Sequence, residues 1–222
     1  HEIRNPLAAI AQANALLSED ASTPGQQQLT RMVADNVKRL KRIVDDVMEV
    51  APGTLSEATV IDASSEVAAA CSDWAQAGSL DQGEGSVLKV DLPAEPLGVV
   101  FDVEHLRRVL INLLDNARRH ATDRPGSVHV RLSALDEATA QLSVCSDGPT
   151  IPIDVERYLF EPFFSTRSRG TGLGLYICRQ LCEQYGASID YRMRPAAEPN
   201  RNDFFVNMRR RAGLAAEPGL ET

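Results

Sequence analysis

A heptad seam with one polar interruption constrains this chain most. Leu29, Val33, Asn36, Leu40, Ile43, Val47 and Val50 recur at alternating steps of four and three, the period at which helices pack side by side. Ile3, Leu7, Ile10, Asn14 and Leu17 repeat the rhythm, and Ser22-Thr23-Pro24-Gly25 between the two series is a turn signal. Residues 1–51 hold no strand signal, so the pattern predicts a hairpin of two amphipathic helices. One hairpin cannot bury two seams by itself. The expected completion is a four-helix bundle from two copies; docking of the hairpin on the rest of its own chain is the alternative. Pro52-Gly53 ends the second helix, and 52–58 reads as a linker.

Beyond the linker the pattern mixes helix and strand. Strands are expected at 59–61, 87–92 and 97–101, and Asp102 is placed to cap a helix running to about His120. Residues 128–134 and 140–145 read as strands paired across a turn near Asp136. A helix is expected from near Gly172 to Gly186, then closing strands at 187–193 and 203–208. Residues 212–222 read as a flexible tail. The expected fold class is α+β: an N-terminal helical hairpin, then over 59–211 an α/β sandwich with helices on one face of a mixed sheet.

Composition removes several functions. Lys plus Arg number 23 against 31 Asp plus Glu, a formal charge of -8. A polyanion or an anionic membrane surface would repel such a chain, so no nucleic acid is expected among its partners. No apolar run approaches the roughly 18 residues that cross a bilayer. Cys71, Cys145, Cys178 and Cys182 form no CxxC pair or disulfide framework, which points to a reducing, cytoplasmic compartment. Cys178 and Cys182, four apart, read as core thiols. The chain opens on His without a leader, so it is expected to be a fragment, with any membrane anchor belonging to an upstream region.

Four stretches carry chemistry. The first is His1-Glu2-Ile3-Arg4-Asn5-Pro6-Leu7. On a helix His1 and Asn5 share a face with Glu2 beside them, off the apolar seam and toward solvent. Pro6 removes a hydrogen bond to the Glu2 carbonyl and should bend the helix beside His1. An exposed imidazole next to a carboxylate can lose its proton and act as a nucleophile; a solvated helix face is the plain alternative. The second stretch is Asn112-Leu113-Leu114-Asp115-Asn116-Ala117-Arg118-Arg119-His120, where Leu106, Val109, Leu110, Leu113, Leu114 and Ala117 form the stripe to be buried. At about 100° per residue, Asn112, Asn116 and Arg119 line up at its margin. Two amides and a cation there suit a hydrated Mg²⁺ and a triphosphate, because Mg²⁺ keeps waters and phosphate oxygens; an ordinary polar helix edge is the alternative. The third is the turn Ser146-Asp147-Gly148-Pro149-Thr150-Ile151-Pro152. In the fourth, residues 161–175, Gly170, Gly172 and Gly174 open a helix whose backbone N–H groups can hold phosphates, with Arg167 and Arg169 just ahead.

In this order, over about residues 1–211, the stretches resemble the catalytic core of a two-component sensor histidine kinase. HEIRNPL looks like the phosphoacceptor box, with Asn four residues after His, and NLLDNARRH looks like the asparagine box. EPFFSTR and RGTGLGLYI look like the phenylalanine box and the second glycine box. The resemblance implies a dimerisation and histidine-phosphotransfer hairpin and an ATP-binding domain of the Bergerat type, shared with the GHKL ATPases. It implies a homodimer, Mg-ATP as donor and an aspartate of a response regulator as final acceptor. His1 would attack the γ-phosphoryl group with Glu2 as general base, and Asn5 would serve dephosphorylation of the regulator. Asn112 and Asn116 would hold Mg²⁺. Arg119, Arg167, Gly172 and Gly174 would steady the phosphates, and Asp147, Gly148, Gly170 and Leu173 would complete the nucleotide site. Residues 152–170 would form a short lid.

One box departs from the family. The first glycine box normally reads Asp-x-Gly-x-Gly, its Asp bonding the adenine amino group; here Ser146 takes the Asp position and Thr150 the second Gly. Either the turn is re-registered so that Asp147 reaches adenine, or a serine or a water does the job. Two rival functions follow. A GHKL ATPase without histidine transfer would need a water-activating Glu where this chain has Asn112, which cannot take a proton at neutral pH. A degenerate kinase acting as a binding scaffold would rest on the altered turn.

Overall fold

The computed structural model describes residues 3–49, 58–80, 83, 85–165 and 171–211. The expected linker, most of which falls on 52–57, and the tail at 212–222 lie outside the described residues. The chain divides into two compact units: residues 1–54 with Pro162–Gly174, and Leu55–Glu161 with Leu175–Thr222.

The first unit is built on α1 (Arg4–Glu19) and α2 (Pro24–Glu49). The turn between them is shorter than the sequence suggests, because Pro24 is the first helical residue of α2 rather than part of the turn. Pro suits that position: its fixed φ fits the helix and its missing N–H has no intrahelical partner there. Thr23 and Gln26 close the helix start reciprocally. The Gln26 N–H donates to Thr23 Oγ1 at 3.2 Å, and the Thr23 N–H donates to Gln26 Oε1 at 3.1 Å. Pro6 likewise falls in the first turn of α1, where it costs no ladder bond within the helix as described. Leu7, Asn14 and Val37 are buried within the hairpin, and Asn14 Nδ2 donates to the Thr30 carbonyl at 2.8 Å. The seam residues Leu29, Val33 and Leu40 are exposed.

In the second unit β1 (Thr59–Asp62) leads into α3 (Ala63–Ala77), followed by β2 (Leu88–Asp91) and β3 (Gly98–Phe101). Helix α4 (Val103–His120) precedes the hairpin of β4 (Val128–Ala134) and β5 (Thr139–Ser146). A single turn, α5 (Ile153–Glu156), then α6 (Gly174–Gln184), β6 (Ser188–Met193) and β7 (Asn202–Arg209) complete the order. The main sheet runs β2-β4-β5-β7-β6; β2 pairs parallel with β4 and all other neighbours are antiparallel, so the sheet is mixed as expected. A two-stranded antiparallel sheet, β1-β3, adjoins it, β3 meeting the chain just past β7 through a bridge between Val99 and Arg210 and a hydrogen bond from the Arg211 N–H to the Gly98 carbonyl.

Helix α4 organises this unit. Asp102 caps it, its carboxylate accepting from the His105 N–H at 2.9 Å. Leu106, Val109, Leu110, Leu113, Leu114 and Ala117 form its buried stripe, and each leucine removed from water contributes about 1.5–3 kcal/mol. The stripe packs on the face of β4 and β5 that carries Val130, Leu132, Leu142 and Val144. Helix α3 lies beside α4, where Trp74 Nε1 donates to Asp115 Oδ1 at 2.8 Å. Helix α6 lies on its other flank, the buried Cys178 thiol reaching the Val109 carbonyl at 3.8 Å. The opposite face of the sheet is polar. There Arg192 lies over the Phe205 ring, donates to the buried Asp203 at 2.7 Å and reaches Gln141 at 3.0 Å.

Candidate functional site

Alternation along β5 decides what the strand end offers. Residues two apart on a strand share a face, so Ser146 stands on the helix-covered face with Leu142 and Val144, next to Val128 and Asn202 on the neighbouring strands. Ser146 is buried. Asp147 falls on the other side. Its carboxylate accepts from the Thr122 N–H at 2.8 Å, from the Thr122 hydroxyl at 2.6 Å and from Arg124 at 3.0 Å. Burial alone would raise its pKa, but the Thr122 hydrogen bonds and the Arg124 guanidinium hold it below the ordinary carboxylate value. Of the two alternatives the sequence leaves open, this geometry favours the serine or water over Asp147, whose side chain is bonded to the loop after α4.

The turn itself is fixed from two strands. Asn202 Nδ2 donates to the Gly148 carbonyl at 2.9 Å and to the Pro149 carbonyl at 3.2 Å. The Tyr191 hydroxyl donates to Asn202 Oδ1 at 2.9 Å and accepts from the Ile151 N–H at 3.4 Å. Gly148 has a packing reason to lack a side chain, since a Cβ there would collide with the His120 carbonyl. The turn is thereby seated against the C-terminal end of α4. Sequence reasoning missed Asn202 and Tyr191 because neither has a local signal; only the register that sets Ser146 opposite Asn202 exposes them.

On α4, Asn112 and Asn116 are half-buried at the margin of the stripe. Asn112 lies beside the Cys178 thiol of α6, which itself donates to the Val109 carbonyl at 3.8 Å. Burial pushes that thiol up to about 12, so it stays neutral and unreactive. Asn116 makes no side-chain hydrogen bond among the described residues. Arg119 is largely exposed, its guanidinium 3.8 Å from Asp115. The structure thus brings the asparagine strip beside the first turns of α6, with the Ser146 turn packed at the end of the same helix.

Of the glycine stretch, Gly172, Leu173 and Gly174 are described, whereas Arg167 and Gly170 lie outside the described residues. Gly172 has φ +70, and a Cβ there would lie 2.5 Å from the Phe163 carbonyl carbon, so only glycine fits. Leu173 is buried, and its N–H donates to Thr171 Oγ1 at 3.3 Å. The Leu173 side chain therefore packs in the interior. Gly174 is the first residue of α6. In the first unit Asn5 is exposed in the opening turn of α1, while His1 and Glu2 lie outside the described residues.

Comparison with known proteins decides the family. The "His Kinase A (phospho-acceptor) domain" matches residues 1–53. The "Histidine kinase-, DNA gyrase B-, and HSP90-like ATPase" family matches residues 101–210.

The chain belongs to the sensor histidine kinases, as the catalytic core.

It is 37% identical over 204 residues to the sensor protein kinase PilS of Pseudomonas aeruginosa, which covers 87% of this chain and 37% of that protein. It is 27% identical over 216 residues to the sensory histidine kinase/phosphatase NtrB of Escherichia coli O157:H7, covering 93% of this chain and 59% of that protein. The chain thus spans less than two thirds of the length of these relatives. Among solved structures, the mycobacterial sensor histidine kinase MprB matches with a TM-score of 0.56 and 28% identity, over 69% of this chain and 98% of that one. An ATPase domain of this family implies ATP binding. Among the described residues no helix is long and apolar enough to cross a membrane.

Proposed function

We propose that this core autophosphorylates His1 from Mg-ATP and passes the phosphoryl group to an aspartate of a response regulator. The observation that carries the reading is the packing of α6 on α4, where the buried Cys178 thiol reaches the Val109 carbonyl at 3.8 Å and sets the start of α6 beside the asparagine strip. It gathers amide oxygens and a helix N-terminus at one end of the domain, and this combination suits a triphosphate.

The amides fit a hydrated divalent cation. Asn112 and Asn116 both lie half-buried at the margin of the α4 stripe, and Asn116 makes no side-chain hydrogen bond among the described residues. Mg²⁺, when bound, would neutralise charge on the transferring phosphate and align it. Arg119 would supply positive charge to the phosphates, Arg167 would add to it as the resemblance implies, and the N-terminal end of α6 would contribute its dipole. The imidazole of His1 attacks the γ-phosphorus; a P–N bond forms as the bond to the β-phosphate oxygen breaks, ADP leaves, and the imidazole proton passes to Glu2. The exposed seam of α1 and α2 supports a homodimer as the working form.

Asn5 serves the reverse branch. Its amide orients a water toward a phospho-aspartate without acting as a base. The name of NtrB, a kinase/phosphatase, supports that branch. Asn5→Ala keeps most autophosphorylation and loses regulator dephosphorylation; Glu2→Ala does the reverse. Incubation with γ-labelled ATP tests the reading as a whole. Label is expected on the wild-type chain and absent from both His1→Ala and Asn116→Ala, with nucleotide binding retained in His1→Ala. Undiminished label on His1→Ala sinks it.

A further inference from the structure

The groups around the Ser146 turn can be taken one by one. The Asp147 carboxylate faces away and accepts three hydrogen bonds from Thr122 and Arg124. The Asn202 amide is used at both ends, its NH₂ on the Gly148 and Pro149 carbonyls and its oxygen on Tyr191. The Tyr191 hydroxyl spends its proton on Asn202 and a lone pair on the Ile151 N–H. Tyr191 is itself buried, and burial raises its pKa, so it stays a neutral phenol. Two hydroxyls remain: Ser146, on the helix-covered face, and Thr150, half-buried within the turn. Neither carries charge.

A carboxylate is an acceptor only, whereas a hydroxyl donates one hydrogen bond and accepts others by rotating. A carboxylate at the strand end would favour a purine with a 6-amino donor and repel a 6-oxo group. A hydroxyl can accept from the first and donate to the second. Charge-assisted hydrogen bonds are also about twice as strong as neutral ones. We propose that the base site of this chain is neutral, reading the purine through the Ser146 hydroxyl on a turn pinned by Asn202 and Tyr191. It therefore separates 6-amino from 6-oxo purine triphosphates only weakly. The inference rests on the nucleotide-binding reading above and adds the breadth of its substrate class.

The test is calorimetric titration of the 222-residue chain, in Mg²⁺, with ATP and with ITP, which differ at the purine 6-position and at N1. The wild type should bind both, with dissociation constants within about tenfold of each other, the discrimination one neutral hydrogen bond supports. Ser146→Asp should raise the ATP preference by a further tenfold or more, chiefly by losing ITP. Ser146→Ala adds no bulk or charge to the buried position, and it should weaken both nucleotides to a similar degree. A wild-type preference for ATP above about a hundredfold, unmoved by Ser146→Ala, overturns the neutral site while leaving ATP binding intact. Binding of neither nucleotide overturns this inference and the nucleotide-binding reading together.

Discussion

The hairpin and the sheet unit use apolar residues in opposite ways. Helix α4 buries all six residues of its stripe against its own sheet. Helices α1 and α2 bury Leu7, Asn14 and Val37 between them, yet leave Leu17 and Leu29 each 63% exposed. Both units are amphipathic in sequence, so the difference lies in the number of surfaces each helix must cover. A helix on a sheet needs one stripe. A helix in a bundle needs a stripe for its hairpin partner and a seam for something more. The sheet unit is thus complete as a fold, whereas the hairpin presents a surface that a second copy would cover.

The largest expected effect lies in the sheet unit. Leu113→Ala empties a fully buried site under α4 and should cost about 2–5 kcal/mol. The loss is read by denaturant unfolding and should not depend on protein concentration. Leu40→Asp places a carboxylate on the exposed seam. Losing even one buried leucine contact of about 1.5 kcal/mol weakens self-association at least tenfold, as sedimentation would show, while the melting of the sheet unit stays unchanged. If Leu40→Asp lowered that melting temperature instead, the contrast between the units would fail.

A smaller effect sharpens the picture at the strand end. Asp147 is partly buried, which raises its pKa, but Thr122 and Arg124 outweigh this and leave it below the ordinary carboxylate value. Its contribution is therefore present above that ordinary value and is lost as pH falls through the depressed folded value. Asp147→Asn should be less stable than wild type at neutral pH, and the two should converge in acid. Parallel thermal melts across that range check the sign.

Legibility in the sequence followed the range of the cause. The Asp102 cap, the stripe of α4 and the β4–β5 hairpin rest on neighbours within a few residues, and all were readable. Helix α3 was not: its buried residues are Ala63, Val67, Ala70, Cys71 and Ala75, too small to raise a clear period. The one-turn α5 was too short to show one. At the candidate site, the residue types and their order were legible in the chain, but the orientation of Asp147 was not. That depends on Thr122 and Arg124, whole elements away in sequence. The tethers from Tyr191 and Asn202 are more distant still.

The chain carries four histidines, and they divide between the units as the chemistry requires. His105 is held by the Tyr185 hydroxyl at 2.6 Å and His129 by Asp91 at 2.7 Å, both inside the sheet unit, and His120 ends α4. Only His1 belongs to the helical unit. Peptide mapping of the phosphorylated chain after incubation with ATP therefore tests the division of labour most directly. An acid-labile, base-stable phosphate on His1 alone is the expected result. Phosphate on His105, His120 or His129, or on a serine or threonine with His1 unmodified, would contradict it.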